Sequence, residues 1–183
     1  MSTTCDAEKA ALPVIGETCG GGYLGALLPA ADRRYWAVIV APKAEGEKED
    51  VMWGTRNFPV PGSRSFTDGW GNSQVTSDGH HPAAQFCRAV RSGGYDDWYL
   101  PSIGELAAIW ANLGPAHTAA AQFQLGAGEA FEESWYWSST EVALDPSFAW
   151  GQAFDDKPFG TGWRNRDDKY SPNWCRAVRR VLL

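Results

Sequence analysis

The sequence predicts an α+β fold, and three stretches carry that prediction. Tyr35-Trp36-Ala37-Val38-Ile39-Val40 is rich in β-formers and unbroken by Gly or Pro, which marks a strand. From Trp98 to Leu113 a short buried strand runs straight into a capped helix. From Trp135 onward the chain reads as strands separated by loops. Strands at both ends with helices gathered between them suit an α+β domain.

The elements follow in chain order. Residues 1–15 are small, polar and mixed, and read as an N-terminal tail or attachment arm; residues 16–183 read as one domain. Cys19-Gly20-Gly21-Gly22 opens onto a strand at Tyr23–Leu28, Pro29–Asp32 forms a turn, and Tyr35–Val40 completes a hairpin. Lys43–Asp50 is charged and reads as a solvated loop, with a third strand at Val51–Trp53. Gly54–His81 shows no sustained period, and Asp68-Gly69, Gly71-Asn72 and Asp78-Gly79 mark turns within it. Pro82 suits a first helical turn, and Ala83, Phe86, Cys87 and Val90 form the apolar face of a helix that stops at Gly93.

Trp98-Tyr99-Leu100 is too short for a helix, and Pro101 restrains Leu100 to an extended backbone. Ser102 and Glu105 then form a capping box, serine at the N-cap and glutamate at N3. Leu106, Ile109, Trp110 and Leu113 give that helix its apolar face, and Gly114-Pro115 closes it. Thr118–Gln124 reads as a short third helix. Trp135–Thr140 and Phe148–Phe154 read as strands, the second with Phe148, Trp150, Gln152 and Phe154 on one face and small residues on the other. Asp155–Pro172 reads as a Gly-, Asp- and Arg-rich loop, and Trp174–Leu182 as the closing strand.

Composition bounds the function. The chain has 183 residues, 44% of them apolar, in the range of a globular protein. A net charge of −6 with no basic block argues against a nucleic-acid partner. No apolar run approaches the roughly 20 residues of a membrane helix, so no membrane insertion is expected. The N-terminal residues lack a basic segment followed by an apolar one, so no signal peptide is expected. None of the four cysteines forms a CxxC pair, which removes the usual zinc spacing. Ten tryptophans are many for this length; they either fill a core or offer surfaces for a ligand.

No stretch carries convincing chemistry, so no enzyme and no cofactor are expected. Adjacent His80 and His81 point in different directions and lack a third ligand at metal spacing, and His117 reads as a surface residue. Ser138-Ser139-Thr140-Glu141 places hydroxyls beside a carboxylate without an oriented base, so the hydroxyls read as strand hydrogen-bonders. Asp155-Asp156 and Asp167-Asp168 lack a defined cation loop and read as solvated carboxylates. The ligand-binding candidates are Trp150, Gln152, Asp155, Asp156, Phe159, Trp163, Arg164, Asn165 and Arg166, on the Phe148–Phe154 strand and the loop after it. Arg and Trp anchor interfaces, and loops on a rigid scaffold carry recognition. The alternative is that the tryptophans are core and the arginines pair with nearby aspartates.

The series "GGYDDWYLPSIGEL", "YWSSTE", "AWGQAF" and "CRAVRRV" resembles the Lcl C-terminal domain family, named for the Legionella collagen-like protein. The opening "GGGYLGALL" and "YWAVIVAPK" are similar to a phage and prophage branch of it. A more distant likeness runs to the formylglycine-generating-enzyme family. The resemblance implies a C-type lectin-like fold: a small twisted antiparallel sheet, two main helices, paired N- and C-terminal strands and a loop-rich binding face. The calcium-lectin signatures, the paired cysteines of the formylglycine enzymes and the collagen-like stalk are all missing here. The resemblance also implies that Cys87, on the first helix, lies close to Cys175, in the closing strand. Two states of that pair stay open: free thiols in a reducing compartment, or a bridge formed after release.

The function expected from the resemblance is a non-enzymatic recognition module for a cell-surface glycan or protein receptor, as a phage virion or tail-associated adhesin. It would be made in the host cytoplasm and reach the exterior by lysis. Its N-terminal region would meet other virion proteins, and a homotrimer is compatible with the family. A special case is the variable protein of a diversity-generating retroelement. The competing readings are a structural capsid or tail decoration protein and, last, a formylglycine-type oxidase.

Overall fold

A hairpin leads into the fold in the computed structural model, which describes residues 13–76, 78–155 and 163–183. β1 (Thr18–Cys19) and β2 (Gly22–Pro29) are joined through Gly20 and Gly21, whose φ values of 53° and 85° favour glycine. β3 (Tyr35–Val40) returns antiparallel along β2. A Cβ at Gly22 would lie 2.2 Å from the Val40 carbonyl oxygen, so the start of β2 approaches β3 only as glycine. The chain continues through α1 (Lys43–Gly46), β4 (Glu47–Val51), α2 (Gly69–Val75), α3 (Pro82–Ala89) and α4 (Ile103–Leu113). β5 (Trp135–Glu141), β6 (Phe148–Ala153), β7 (Arg164–Asp168), β8 (Asn173–Arg176) and β9 (Val178–Leu182) complete it.

The strands form two sheets, ordered β1-β2-β3-β9 and β4-β8-β5-β6-β7. Pairing is antiparallel except where β8 meets β5 in parallel, Trp174 beside Tyr136. β3 is buried on both faces, which is why it reads as a continuous apolar run. Ala37 and Ile39 enter a cluster with Trp53, Cys87, Trp98 and Trp137. Val38 and Val40 enter a second cluster with Tyr99, Leu106, Ile109 and Tyr136. Burying each large side chain of this kind contributes roughly 1.5–3 kcal/mol.

α4 forms as expected. Ser102 Oγ accepts from the Glu105 N–H at 3.3 Å, and Glu105 Oε2 accepts from the Ser102 N–H at 2.8 Å. Leu106, Ile109 and Leu113 are buried, and Gly114 caps the end. α3 begins at Pro82 and ends at Ala89. The Cys87 and Cys175 thiols are buried, free and close enough to interact; burial first, then Cys175, pushes the Cys87 thiol well above its ordinary pKa.

Several expectations are corrected. Lys43–Asp50 is exposed at Ala44, Glu45, Lys48, Glu49 and Asp50 as expected, but it is not a loop: it holds α1 and β4, with Glu47 paired inward to Arg176 (3.4 Å) and Lys43 (3.5 Å). β4 therefore ends at Val51, where a strand was expected to start. α2 lies inside the aperiodic stretch, and the Asp68 side chain, accepting from the Gly71 N–H at 3.0 Å, starts it. Seven residues are too few to show a helical period. Trp98–Leu100 is buried but joins β9 only through a bridge between Tyr99 and Val178. Thr118–Gln124 supplies a three-residue 3-10 turn, Ala121–Phe123, instead of an α-helix. Trp174–Leu182 is two strands, since Ala177 leaves β8 to exchange hydrogen bonds with Gly46 and Ala41 before β9 begins. His81 is buried, with Nδ1 2.5 Å from Asp78 and its ring edge-on to Trp53. Ile15, at the end of the expected tail, packs on the core.

Candidate functional site

The candidate site gathers on the β6–β7 hairpin, at the edge of the second sheet. Here Asp155–Pro172 departs from the expected loop: Arg164–Asp168 is a strand paired along β6. The register sets Trp150 opposite Arg166, Gln152 opposite Arg164 and Phe148 opposite Asp168. Directly opposed residues share a face, so Phe148, Trp150, Arg164 and Arg166 form one patch. The Arg166 guanidinium lies 5.2 Å from the Phe148 ring centroid. Phe66, from the segment before α2, meets Trp150 edge-to-face at 5.7 Å and is 52% exposed.

Other candidates fall outside that patch. Trp163, 54% exposed, stands opposite Ala153 with its carbonyl accepting from the Ala153 N–H at 2.9 Å. Asn165 is exposed opposite Gly151, on the other face of the hairpin. Gln152 is fully buried: its amide donates to the Ala153 carbonyl at 3.0 Å, and its Oε1 has no partner among the described residues. Gln152 shares the face of Trp150 and Arg164 by register, yet it is covered and is not part of the exposed surface. Asp155 is half-buried, while Asp156 and Phe159 lie outside the described residues.

The second aspartate pair is engaged instead of solvated. Asp167 accepts from Ser171 Oγ at 3.0 Å and Asn173 Nδ2 at 2.9 Å, and Asp168 pairs with Arg56 at 3.2 Å. These bonds tie the edge strand to the turn that follows it. Ser138, Ser139, Thr140 and Glu141 are fully buried. Ser138 Oγ donates to the Trp150 carbonyl at 2.7 Å, so the hydroxyls do serve as strand hydrogen-bonders and hold β6 in place.

The arrangement is a partly aromatic surface on an edge strand that carries Arg164 and Arg166. No described group there forms a nucleophile–base pair. Among the described residues no three His, Cys, Asp or Glu side chains are placed to hold a metal ion, and no helix is long and apolar enough to cross a membrane. Sequence reading missed Phe66, because it lies in a segment with neither period nor motif. The period-two pattern of Phe148–Phe154 did reveal the shared face of Phe148 and Trp150.

No curated protein matches the chain. The model of the Lcl C-terminal domain family matches residues 45–179, from α1 into β9. That span covers most of the sequence, including α3, α4 and the whole β5–β8 region that carries the aromatic–arginine surface. The chain belongs to the Lcl C-terminal domain family.

Proposed function

We propose that this chain is a non-enzymatic recognition module that binds a cell-surface polysaccharide or protein through its β6–β7 face. One observation carries this reading. Two arginines and two aromatic rings share one face of an edge hairpin, with Phe66 extending it. Arg and large aromatic side chains supply contact area and directed hydrogen bonds at low entropic cost. Family membership supports a binding role in general. The finer reading, a phage virion or tail-associated adhesin with a C-type lectin-like fold, rests on the sequence resemblance.

The test is binding to whole cells and glycan arrays by the protein and by Arg164→Ala and Arg166→Ala. Both residues are exposed, so the variants should keep the parent melting temperature. Each should bind about tenfold or more weakly, the loss of one charge-assisted anchor. Folded variants with unchanged binding would sink the site. Neighbouring genes test the finer reading: tail genes support the adhesin, and a reverse transcriptase supports the diversified variant. Incorporation into virions without any receptor binding would support a decoration protein instead.

A further inference from the structure

β7 is the last strand of its sheet, and the direction of its backbone groups follows from its ladder with β6. The Ala153 N–H donates to the Trp163 carbonyl at 2.9 Å, and the Lys169 N–H donates to the Ser147 carbonyl at 3.0 Å. Both ends of the ladder thus turn the odd-numbered residues of β7 toward β6. The N–H and C=O groups of Arg164, Arg166 and Asp168 therefore point away from the sheet, where no described strand meets them.

Side chains of the strand itself occupy that edge. Asn165 Oδ1 accepts from the Arg166 N–H at 2.9 Å, and Asp167 Oδ1 accepts from the Asp168 N–H at 2.8 Å. The Asp168 carbonyl accepts from the Ser171 N–H at 2.8 Å. Asp167 is held in this pose by Ser171 Oγ and Asn173 Nδ2. The Arg166 and Asp168 amides are thus satisfied before any other chain arrives. Asn165 and Asp167 lie on the face opposite Arg164 and Arg166, so the caps leave the arginine side chains free of this task.

The strand sequence shows what the caps hold off. Arg164-Asn165-Arg166-Asp167-Asp168 is largely complementary to itself when run antiparallel. A two-fold pairing that matches outward groups sets Arg166 beside its own copy and Arg164 beside Asp168 of the second copy, the latter contact twice by symmetry. Asn165 falls beside Asp167 of the second copy. Opposite charges directly across two strands favour pairing, and only the Arg166 contact at the axis opposes it. An edge of this kind is a template for a further strand. Acceptors placed on its N–H groups remove the donors that such a pair requires. We infer that Asn165 and Asp167 guard β7 against strand pairing with a second copy of this chain, which leaves the hairpin to meet other molecules through its side chains.

Sedimentation velocity of the full chain, from micromolar to millimolar concentration, tests this on the parent and on Asn165→Ala/Asp167→Ala. The parent should not associate through β7. The double variant should self-associate at least about tenfold more tightly, because the Arg166 and Asp168 donors become free to pair. Its Arg166 amide resonance should move with concentration in NMR. Adding Arg166→Pro should abolish the association, since proline deletes an outward donor that the ladder to β6 does not use. Asn165→Asp/Asp167→Asn keeps both acceptors and should behave as the parent does. Asp167→Ala also loses Ser171 and Asn173, so if the double variant fails to fold, Asn165→Ala alone decides by the same two readouts. The inference is overturned if the parent already pairs through the Arg166 amide, or if removing the caps leaves association unchanged. It is equally overturned if Arg166→Pro leaves the association intact or if the conservative pair associates as well. Self-association is read without any receptor, so its failure leaves the binding face to be judged by its own test.

Discussion

Glu141 shows how far a single residue can depart from its sequence context. It ends a run of hydroxyls, yet it is fully buried between two cations, 2.7 Å from Lys169 and 2.9 Å from Arg64, and accepts from the Val60 N–H at 2.8 Å. Lys169 is equally buried, donates to the Phe58 carbonyl at 2.9 Å and lies 4.4 Å from the Trp53 ring centroid. Burial pushes its ammonium below the usual lysine range, and the Glu141 carboxylate opposes that. Such a pair is nearly neutral against an apolar replacement, whereas removing one member takes a charged hydrogen bond from a buried group. Lys169→Met leaves Glu141 with Arg64 as its remaining cation, so it should lower stability by about 1.5–3 kcal/mol in denaturant melts. Adding Glu141→Leu should recover part of that loss; a double variant as unstable as the sum of the single ones would deny the coupling. Asp97 is the half-exposed counterpart, with Arg179 donating to both oxygens at 2.6 and 2.9 Å. That pairing holds the Asp97 carboxyl below its ordinary range. Its stabilisation is complete above the unfolded value of about 3.9 and is lost as pH falls through the lower folded value. Asp97→Asn should thus flatten the acid side of a melting-temperature profile, by under about 1 kcal/mol because the pair is solvent-screened.

At the scale of an element, α4 was legible because its signals are local. Capping box, apolar period and terminal glycine all lie within the segment they define. The structure changes the expected weights of its two cap residues. From sequence each cap should contribute about 1 kcal/mol. Glu105, however, also binds Tyr99 and Gly69 from other elements, so Glu105→Ala strands several buried donors and should cost about 3 kcal/mol. Ser102→Ala should stay near 1 kcal/mol. Equal losses for the two variants in urea melts would mean that Tyr99 and Gly69 find other partners. Gly104 carries a third expectation. Alanine would favour the helix by about 1 kcal/mol, but its Cβ would sit 2.4 Å from the Phe66 carbonyl oxygen, a backbone atom. Overpacking of that kind costs roughly 1–3 kcal/mol, so Gly104→Ala should destabilise on balance. The same clash would displace Phe66, which weaker binding through the β6–β7 face would reveal.

The whole molecule is joined where its closing strand changes sheets at Ala177, with Cys175 just before it on β8 facing Cys87 of α3. Since both thiols belong to one core cluster, their alkylation should follow global unfolding, while half-exposed Cys19 reacts in the native state. Labelling followed by mass spectrometry checks this; native-state rates for Cys87 equal to those of Cys19 would place it outside the core. The sequence by itself determined the β2–β3 hairpin, the starts of α3 and α4 and the β5 and β6 strands, and it named Trp150, Trp163, Arg164 and Arg166 as candidates. Periodicity, caps and residue chemistry express all of these within a few residues. Tertiary structure alone decided that Glu47 is buried, that α2 exists, that Arg164–Asp168 is an edge strand and that Gln152 is covered. It alone brought the Arg180 guanidinium onto the Trp36 ring. Each of these depends on a partner from another segment: Arg176 for Glu47, β6 for β7, Asp68 for Arg180. Long-range pairing leaves no local pattern, so it becomes visible only when the chain is folded.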